Sequence, residues 1–563
     1  MAPMAPKPAA DPARPAPRHG ARGAWLGLAA ALALSLPARA QPPLPGPEAP
    51  FLEGRLDGAR ATPLPPGHAA PGGLGYPFGA VPAATAAGPP RPWSLTPSLG
   101  LELLGTDNVN NTATDRQADL ITRIMPSLAA EANTARLTGR LFYAPVARIY
   151  AETRGQNGLD HQFSGQALAT LLEDRLFLDL RGYGALQATR GGFVSGNTPI
   201  PDRSNQVQTA SLQASPYLVH RFGGLATAQI GYSYQYFSTE GDAAFLPGST
   251  QPFFTSQEAS SHQGYAVIRT GEDFGRLAFE SRTVGTVYES DGVLAGAHRL
   301  TTTLQARYAL TRAIAVLVEG GYEDQHYGGT QPLSIQGPIW SVGLRLTPDP
   351  DSVIIAKYGR RNGYESAYLN ASFRLGGRTR VFATYADQIE TAELQATDLL
   401  STARVDALGN LVDSTSGAPL LAPFGDPLLA TQSSLFRLKR ASLGISQIWP
   451  RDTLTLTAFY DDRRPVTSTP GTVGFAQEGY SLGLSWARML TPDLSGLASL
   501  QYGHTQAAVT EDGDVYTANL ALAQELAPGL FGSLQYIFRY SEGGFVAGDA
   551  VQNIVILGLR QVF

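Results

Sequence analysis

Over most of its length this chain alternates apolar and polar residues one by one, which restricts it to strands with two unlike faces. Leu95, Pro97, Leu99, Leu101 and Leu103 form one such row, and Leu137, Gly139, Leu141, Tyr143, Pro145, Ala147 and Ile149 another. The pattern returns at Trp340, Val342, Leu344 and Leu346, and at Leu530, Gly532, Leu534, Tyr536, Phe538 and Tyr540. Arg, Thr, Ser, Gln, Asp, Gly or Glu occupy most positions between. Successive side chains of a strand point to opposite faces, so period two means one apolar and one polar face.

The connections between these runs come in two lengths. Short turns are expected at 131–134, 173–175, 221–224, 271–275, 310–313, 347–352, 376–378, 449–453, 490–493 and 527–529. Between them lie longer polar or glycine-rich loops, such as 191–205, 238–261, 325–332, 387–431 and 462–475. Turns on one side and loops on the other are the asymmetry of an outer-membrane barrel, with its turns periplasmic and its loops outside. The expected fold is all-β: a transmembrane, antiparallel, up-and-down β-barrel over residues 94–563, of about 22 strands within a range of 18–22. The largest loop, 387–431, contains a helix-compatible stretch at 391–405 and is compatible with either a constriction inside the bore or a surface cap.

Composition agrees with a wall that is half apolar and half wet. There is no cysteine, so no disulfide frame, thiol chemistry or cysteine metal site is available. Tyrosine, phenylalanine and glycine are plentiful, and mean hydropathy is near zero. Only Lys7, Lys357 and Lys439 are lysines, so nearly all positive charge is arginine.

Residues 1–40 read as an export signal. Arg14, Arg18 and Arg22 lead a short apolar core from Ala24 to Leu36, and Ala38-Arg39-Ala40 is an A-x-A cleavage site. The core is too short to span a membrane as a helix. Sec-type export with cleavage near Ala40 would deliver the chain toward the outer membrane of a Gram-negative bacterium. Its loss removes five positive charges and Asp11, leaving about −9, which argues against nucleic acid as a partner. Residues 41–93 are rich in Pro, Gly and Ala, cannot bury a core, and are expected to form a disordered periplasmic tether. At the other end the amphipathic run finishes on Phe563. A terminal aromatic of this kind resembles the signal that outer-membrane barrels present to their assembly machinery, although Gln561 stands where an apolar residue is common.

If the apolar rows face lipid, the other parity faces inward. That places Arg123, Arg140, Arg148, Arg181, Arg282, Arg299, Arg307, Arg345, Lys357, Arg374, Arg440, Arg539 and Arg560 as pore-lining candidates, with the fewer acids Glu102, Asp179, Glu280 and Glu319. A lipid-facing arginine near the midplane costs about 2–4 kcal/mol, so the inward assignment is also the cheaper one. An arginine-rich wall concentrates anions. The same arginines could instead pair with acids on neighbouring strands and brace the wall. Aromatics on the lipid-facing rows, among them Tyr232, Tyr234, Tyr236, Tyr308, Tyr460, Trp486, Tyr536 and Tyr540, are expected to form interfacial girdles.

One stretch carries a family likeness. Thr106-Asp107-Asn108-Val109 ends the first strand, and Asp119-Leu-Ile-Thr-Arg-Ile-Met-Pro126 follows a polar loop. This resembles the opening hairpin of the outer-membrane β-barrel family called beta-barrel porin 2, over roughly residues 99–130. The resemblance implies a channel and, more weakly, a connection with exopolysaccharide export systems. It implies no catalytic residues.

Catalysis finds no constellation. The histidines are scattered, no H-x-x-x-H, H-E-x-x-H or G-x-S-x-G pattern occurs, and Asp461-Asp462 reads as a solvated rim at a strand end. No enzyme activity, metal or cofactor is expected. The expected function is porin-like passage of small anionic solutes; the exit port of an exopolysaccharide secretion system and a plugged structural or adhesive barrel are the alternatives. Expected partners are outer-membrane lipid and lipopolysaccharide, the barrel-assembly machinery and, for the export reading, periplasmic polysaccharide-export components.

Overall fold

The computed structural model describes residues 92–563, apart from 193–198, 247, 350–351, 396–402, 406–410, 414–427 and 546–547. The expected export signal, nearly all of the tether and much of the 387–431 loop lie outside the described residues.

Twenty-two strands form one sheet. Each pairs antiparallel with its neighbours in the chain, as the first strand, Trp93–Thr106, does with the second, Asp119–Asn133. The first strand also pairs with the last, Ala550–Val562, in a register running from Ser98 opposite Val562 to Thr106 opposite Ile554. That last pairing closes the sheet into a barrel and leaves no unpaired edge. The fold is therefore the expected up-and-down barrel, at the upper end of the expected strand range.

Closure is reinforced beyond the ladder. Leu104, Val109, Ile121, Tyr150, Ile537, Ile554 and Ile556 pack together as a buried cluster at the seam. The Asn108 side chain donates to the carbonyls of Thr112 and Val551, at 2.7 and 3.0 Å, and accepts from the Thr112 amide. The Asp119 carboxylate accepts from the amides of Ala151, Glu152 and Thr153 and so holds the next loop. The residues that carry the family likeness thus bind the two ends of the sheet and brace their neighbours.

The two faces differ as period two requires. On one face of the strands Leu99, Leu101, Leu103, Leu300, Leu304, Leu482, Leu484, Leu557 and Leu559 are exposed, with Tyr232, Tyr308, Trp486 and Tyr536 among them. On the other face Ser98, Glu102, Gln213, Ser215, Gln305 and Glu319 are buried. Short turns join the strands at one end and mostly longer loops at the other. One loop-end connection is tight. Arg361 and Tyr364 are joined by Asn362 and Gly363 alone, with φ of 54° and 77°. Two positive φ angles in succession make the hairpin turn whose twist suits the flanking strands, and Asn-Gly is the pair that adopts it most easily.

Candidate functional site

All the cationic pore-lining candidates lie on the strand face opposite the exposed leucines, together with Glu280 and Glu319. Many are held by acids on the same face. Arg123 reaches Glu102 at 2.9 Å across the first hairpin. Arg148 and Arg203 share Asp160, at 2.8 and 3.1 Å. Arg181 folds back onto Asp179 of its own strand at 2.7 Å. Arg269 and Arg282 flank Glu280 at 3.3 and 3.6 Å. Glu319 accepts from Ser341 and pairs with Lys357 and Arg361. Lys357 stands opposite Gly343, where an added Cβ would lie 2.8 Å from the lysine side chain.

The remaining candidates are held differently. Arg539 donates to Gln552 at 2.8 Å and Arg560 to Ser98 at 3.2 Å. Arg140 meets Glu131 at 3.2 Å in an exposed position at the turn end. Arg299 is half-buried, and Arg374 stands exposed opposite Arg380, also near the turns.

Two arginines stand apart. Arg307 and Arg345 are half-buried, form no ion pair among the described residues, and each has a buried Nε without an acceptor. Their directly opposite cross-strand partners are small or apolar. Arg307 is opposite Ala278 and Leu317, and Arg345 is opposite Ala315 and Ile355.

The reading of Asp461-Asp462 as a solvated rim is corrected. The strand Asp452–Ser468 continues through both residues, well into the expected loop 462–475. Asp461 is fully buried between Arg440 at 2.7 Å and Arg463 at 3.0 Å. With Asp160, it is a structural acid that the sequence reading missed. The signal is the alternation of Asp461 and Arg463, which continues the strand past the polar pair.

The loop end is crossed. The fifth strand, Leu176–Ala188, and the sixteenth, Ser434–Ile448, are half the circumference apart. Residues 428–433, which lead into the sixteenth, nevertheless bond to the chain that follows the fifth. Thr431 donates its amide to Thr189 at 2.8 Å and its hydroxyl to Ala188 at 3.0 Å, and Gly192 donates to Leu428 at 2.9 Å. The same strap is held by other loops. The Ala430 amide donates to Gln477 at 2.8 Å, the Phe475 amide to Gln432 at 2.9 Å, and the Ser433 amide to Phe253 at 3.0 Å. Under it three loops bring their rings together: Phe253, Phe475 and Phe545 have centroids 5.7–6.1 Å apart. Ala244, Phe254, Ala430 and Val207 complete this buried cluster. A second cluster at the same end joins Val293, Leu294 and Tyr327 to Ile389, Leu394 and Leu435.

Three of the described histidines serve the wall. His161 and His262 accept or donate at the hydroxyls of Tyr143 and Tyr232, at 3.0 and 2.6 Å, and His504 sits 3.0 Å from Asp514. Among the described residues no cluster of His, Asp and Glu has metal-binding geometry.

No protein-family model matches the chain. No curated protein sequence matches it either. Solved structures do resemble it at low similarity. The ferric-catecholate import receptor Fiu of E. coli K12, in its closed form, is 10% identical over 84% of this chain and 82% of its own, with a TM-score of 0.44. The FrpB iron transporter of Neisseria meningitidis, F5-1 variant, is 10% identical over 84% and 82%, with a TM-score of 0.45. OccK2 of Pseudomonas aeruginosa is 9% identical over 84% and 98%, with a TM-score of 0.33.

Proposed function

We propose that this protein is an outer-membrane channel that passes small anionic solutes and whose outer mouth is closed by its own loops. The observation that carries the reading is the pairing of an apolar exterior with a charged interior in one closed sheet. Rows of exposed leucines around a barrel far exceed the few hundred Å² of contiguous apolar surface that a water-soluble protein tolerates. In a bilayer the same rows become the stabilising surface, and a closed barrel satisfies every ladder hydrogen bond there. The turns then face the periplasm and the strap lies outside.

The interior supplies cations beyond what its acids neutralise. Paired arginines brace the wall, while Arg307 and Arg345 retain a field for anions. The crossing strap and its phenylalanine cluster act as the gate. Exopolysaccharide export, the other expectation, rests on the likeness of residues 99–130 and has no support in the geometry of the interior. The plugged structural barrel is favoured by the crossed mouth alone.

Planar-bilayer recording tests this. The intact protein is expected to conduct rarely. The double variant Phe253→Ala, Phe475→Ala is expected to conduct persistently, with a reversal potential in a salt gradient that favours anions. A folded double variant that stays silent, or one that prefers cations, would overturn the reading.

A further inference from the structure

Arg307 and Arg345 flank the strand Ile314–Tyr327 on its two sides. Two strand spacings separate their backbones by about 10 Å, which two arginine side chains bridge easily from opposite sides. Beneath them lies an apolar floor of Leu317, Val353 and Ile355, each at most 1% exposed. The nearest acids on this face are already engaged. Glu280 is held between Arg269 and Arg282, and Glu319 by Ser341, Lys357 and Arg361. Neither guanidinium therefore has a carboxylate, and each keeps a buried Nε–H without an acceptor.

A charge out of water costs free energy unless it is paired, and two like charges side by side add to that cost. Elsewhere the interior solves this with acids of its own. Here it leaves two forked donors on the strands either side of Ile314–Tyr327, over the apolar side chains of Leu317, Val353 and Ile355. Planar guanidinium groups match the geometry of carboxylate and phosphate oxygens, and two of them together can hold one such group from both sides.

We infer that Arg307 and Arg345 form an oxyanion-binding site on the channel wall near its turn end, taking the carboxylate or phosphate group of a permeating solute. The site is a way-station: both arginines bind the same group, and the apolar floor keeps water from competing at Nε. It rests on the transport reading above but fails separately from it, because binding is measured here without conduction.

The full-length protein, folded in detergent and verified by heat-modifiable migration, is dialysed to equilibrium against radiolabelled inorganic phosphate and, separately, citrate. Saturable binding of one of them is expected. Arg307→Gln and Arg345→Gln are each expected to weaken it at least about tenfold, the loss of one charge-assisted contact. Arg488→Gln, an exposed arginine paired with Asp452 on the outer face, is the control and should bind as the parent does. No saturable binding of either anion by the folded parent overturns the site. So does binding that survives in both arginine variants. Binding of phosphate alone or citrate alone identifies which oxyanion the site takes.

Discussion

Asp107 and Asn553, near opposite ends of the described chain, clasp each other where the barrel closes. The Asp107 carboxylate accepts from both the backbone amide and the side-chain amide of Asn553, each at 2.6 Å. The Asp107 amide returns a bond of 3.3 Å to the Asn553 carbonyl. The first strand is made early in the chain and the last one late, so this clasp forms only when the circle is complete. Asp107→Ala removes both charge-assisted bonds. Because the pair is exposed, the cost is expected at the low end for bonds to a charged group, about 1.5 kcal/mol. Thermal unfolding followed by heat-modifiable migration checks it. A variant that melts with the parent would show that the ladder and the Leu104 cluster close the barrel unaided.

The interior ion pairs predict a larger effect. Asp461 is fully buried and serves both Arg440 and Arg463. Asp461→Asn leaves two largely buried guanidinium groups without their shared countercharge, and breaking a buried pair typically costs about 3–5 kcal/mol. Arg464→Gln, which removes a mostly exposed partner of Asp462, is expected to leave the unfolding midpoint close to the parent's. Urea unfolding of both variants measures the contrast. Equal midpoints would mean that Asp461 is solvated after all.

The strands were legible because their signal is local. Leu95 to Leu103 or Leu530 to Tyr540 declare their two faces within a few residues, and the turns fall where the alternation breaks. Parity alone placed Arg123, Arg307 and Arg539 on the polar face. What parity does not encode is the partner. That Arg123 meets an acid while Arg307 meets Ala278 and Leu317 depends on register between strands. The mouth was illegible for a stronger reason. Phe253, Phe475 and Phe545 sit in three loops distant in sequence, and each alone is an unremarkable loop aromatic. The strap at 428–433 shows no periodicity, because its bonds run to Thr189, Gln477 and Phe253 rather than along a ladder.

The strap offers a switch that chemistry can throw. Thr431 and Thr189 are joined by an amide-to-carbonyl bond of 2.8 Å, which brings their backbones within disulfide range. The chain has no cysteine of its own. In the double variant Thr189→Cys, Thr431→Cys, made on the conducting Phe253→Ala, Phe475→Ala background, oxidation is expected to suppress conductance and reduction to restore it. Conductance indifferent to oxidation, with the disulfide confirmed by mass, would remove the strap from the gate.

The same end of the barrel carries a buried acid. Glu393 lies in the helical turn at 392–395 beside Leu394, a member of the second apolar cluster of the mouth. Burial holds its carboxyl above the ordinary carboxylate range, although a hydrogen bond with Thr391 and its own backbone amide oppose the shift. A raised folded-state value means that the closed arrangement binds the proton more tightly than the opened one. Its contribution to closure is therefore complete below the unfolded carboxylate value, about 4.3. It is lost as pH rises through the higher folded value. Channel opening is thus expected to increase as pH rises above the ordinary carboxylate range. Glu393→Gln, neutral at every pH, is expected to hold the low-pH behaviour throughout. Recording open probability across that range in parent and variant gives the check, and a parent whose opening does not change with pH would show that Glu393 has no part in closure.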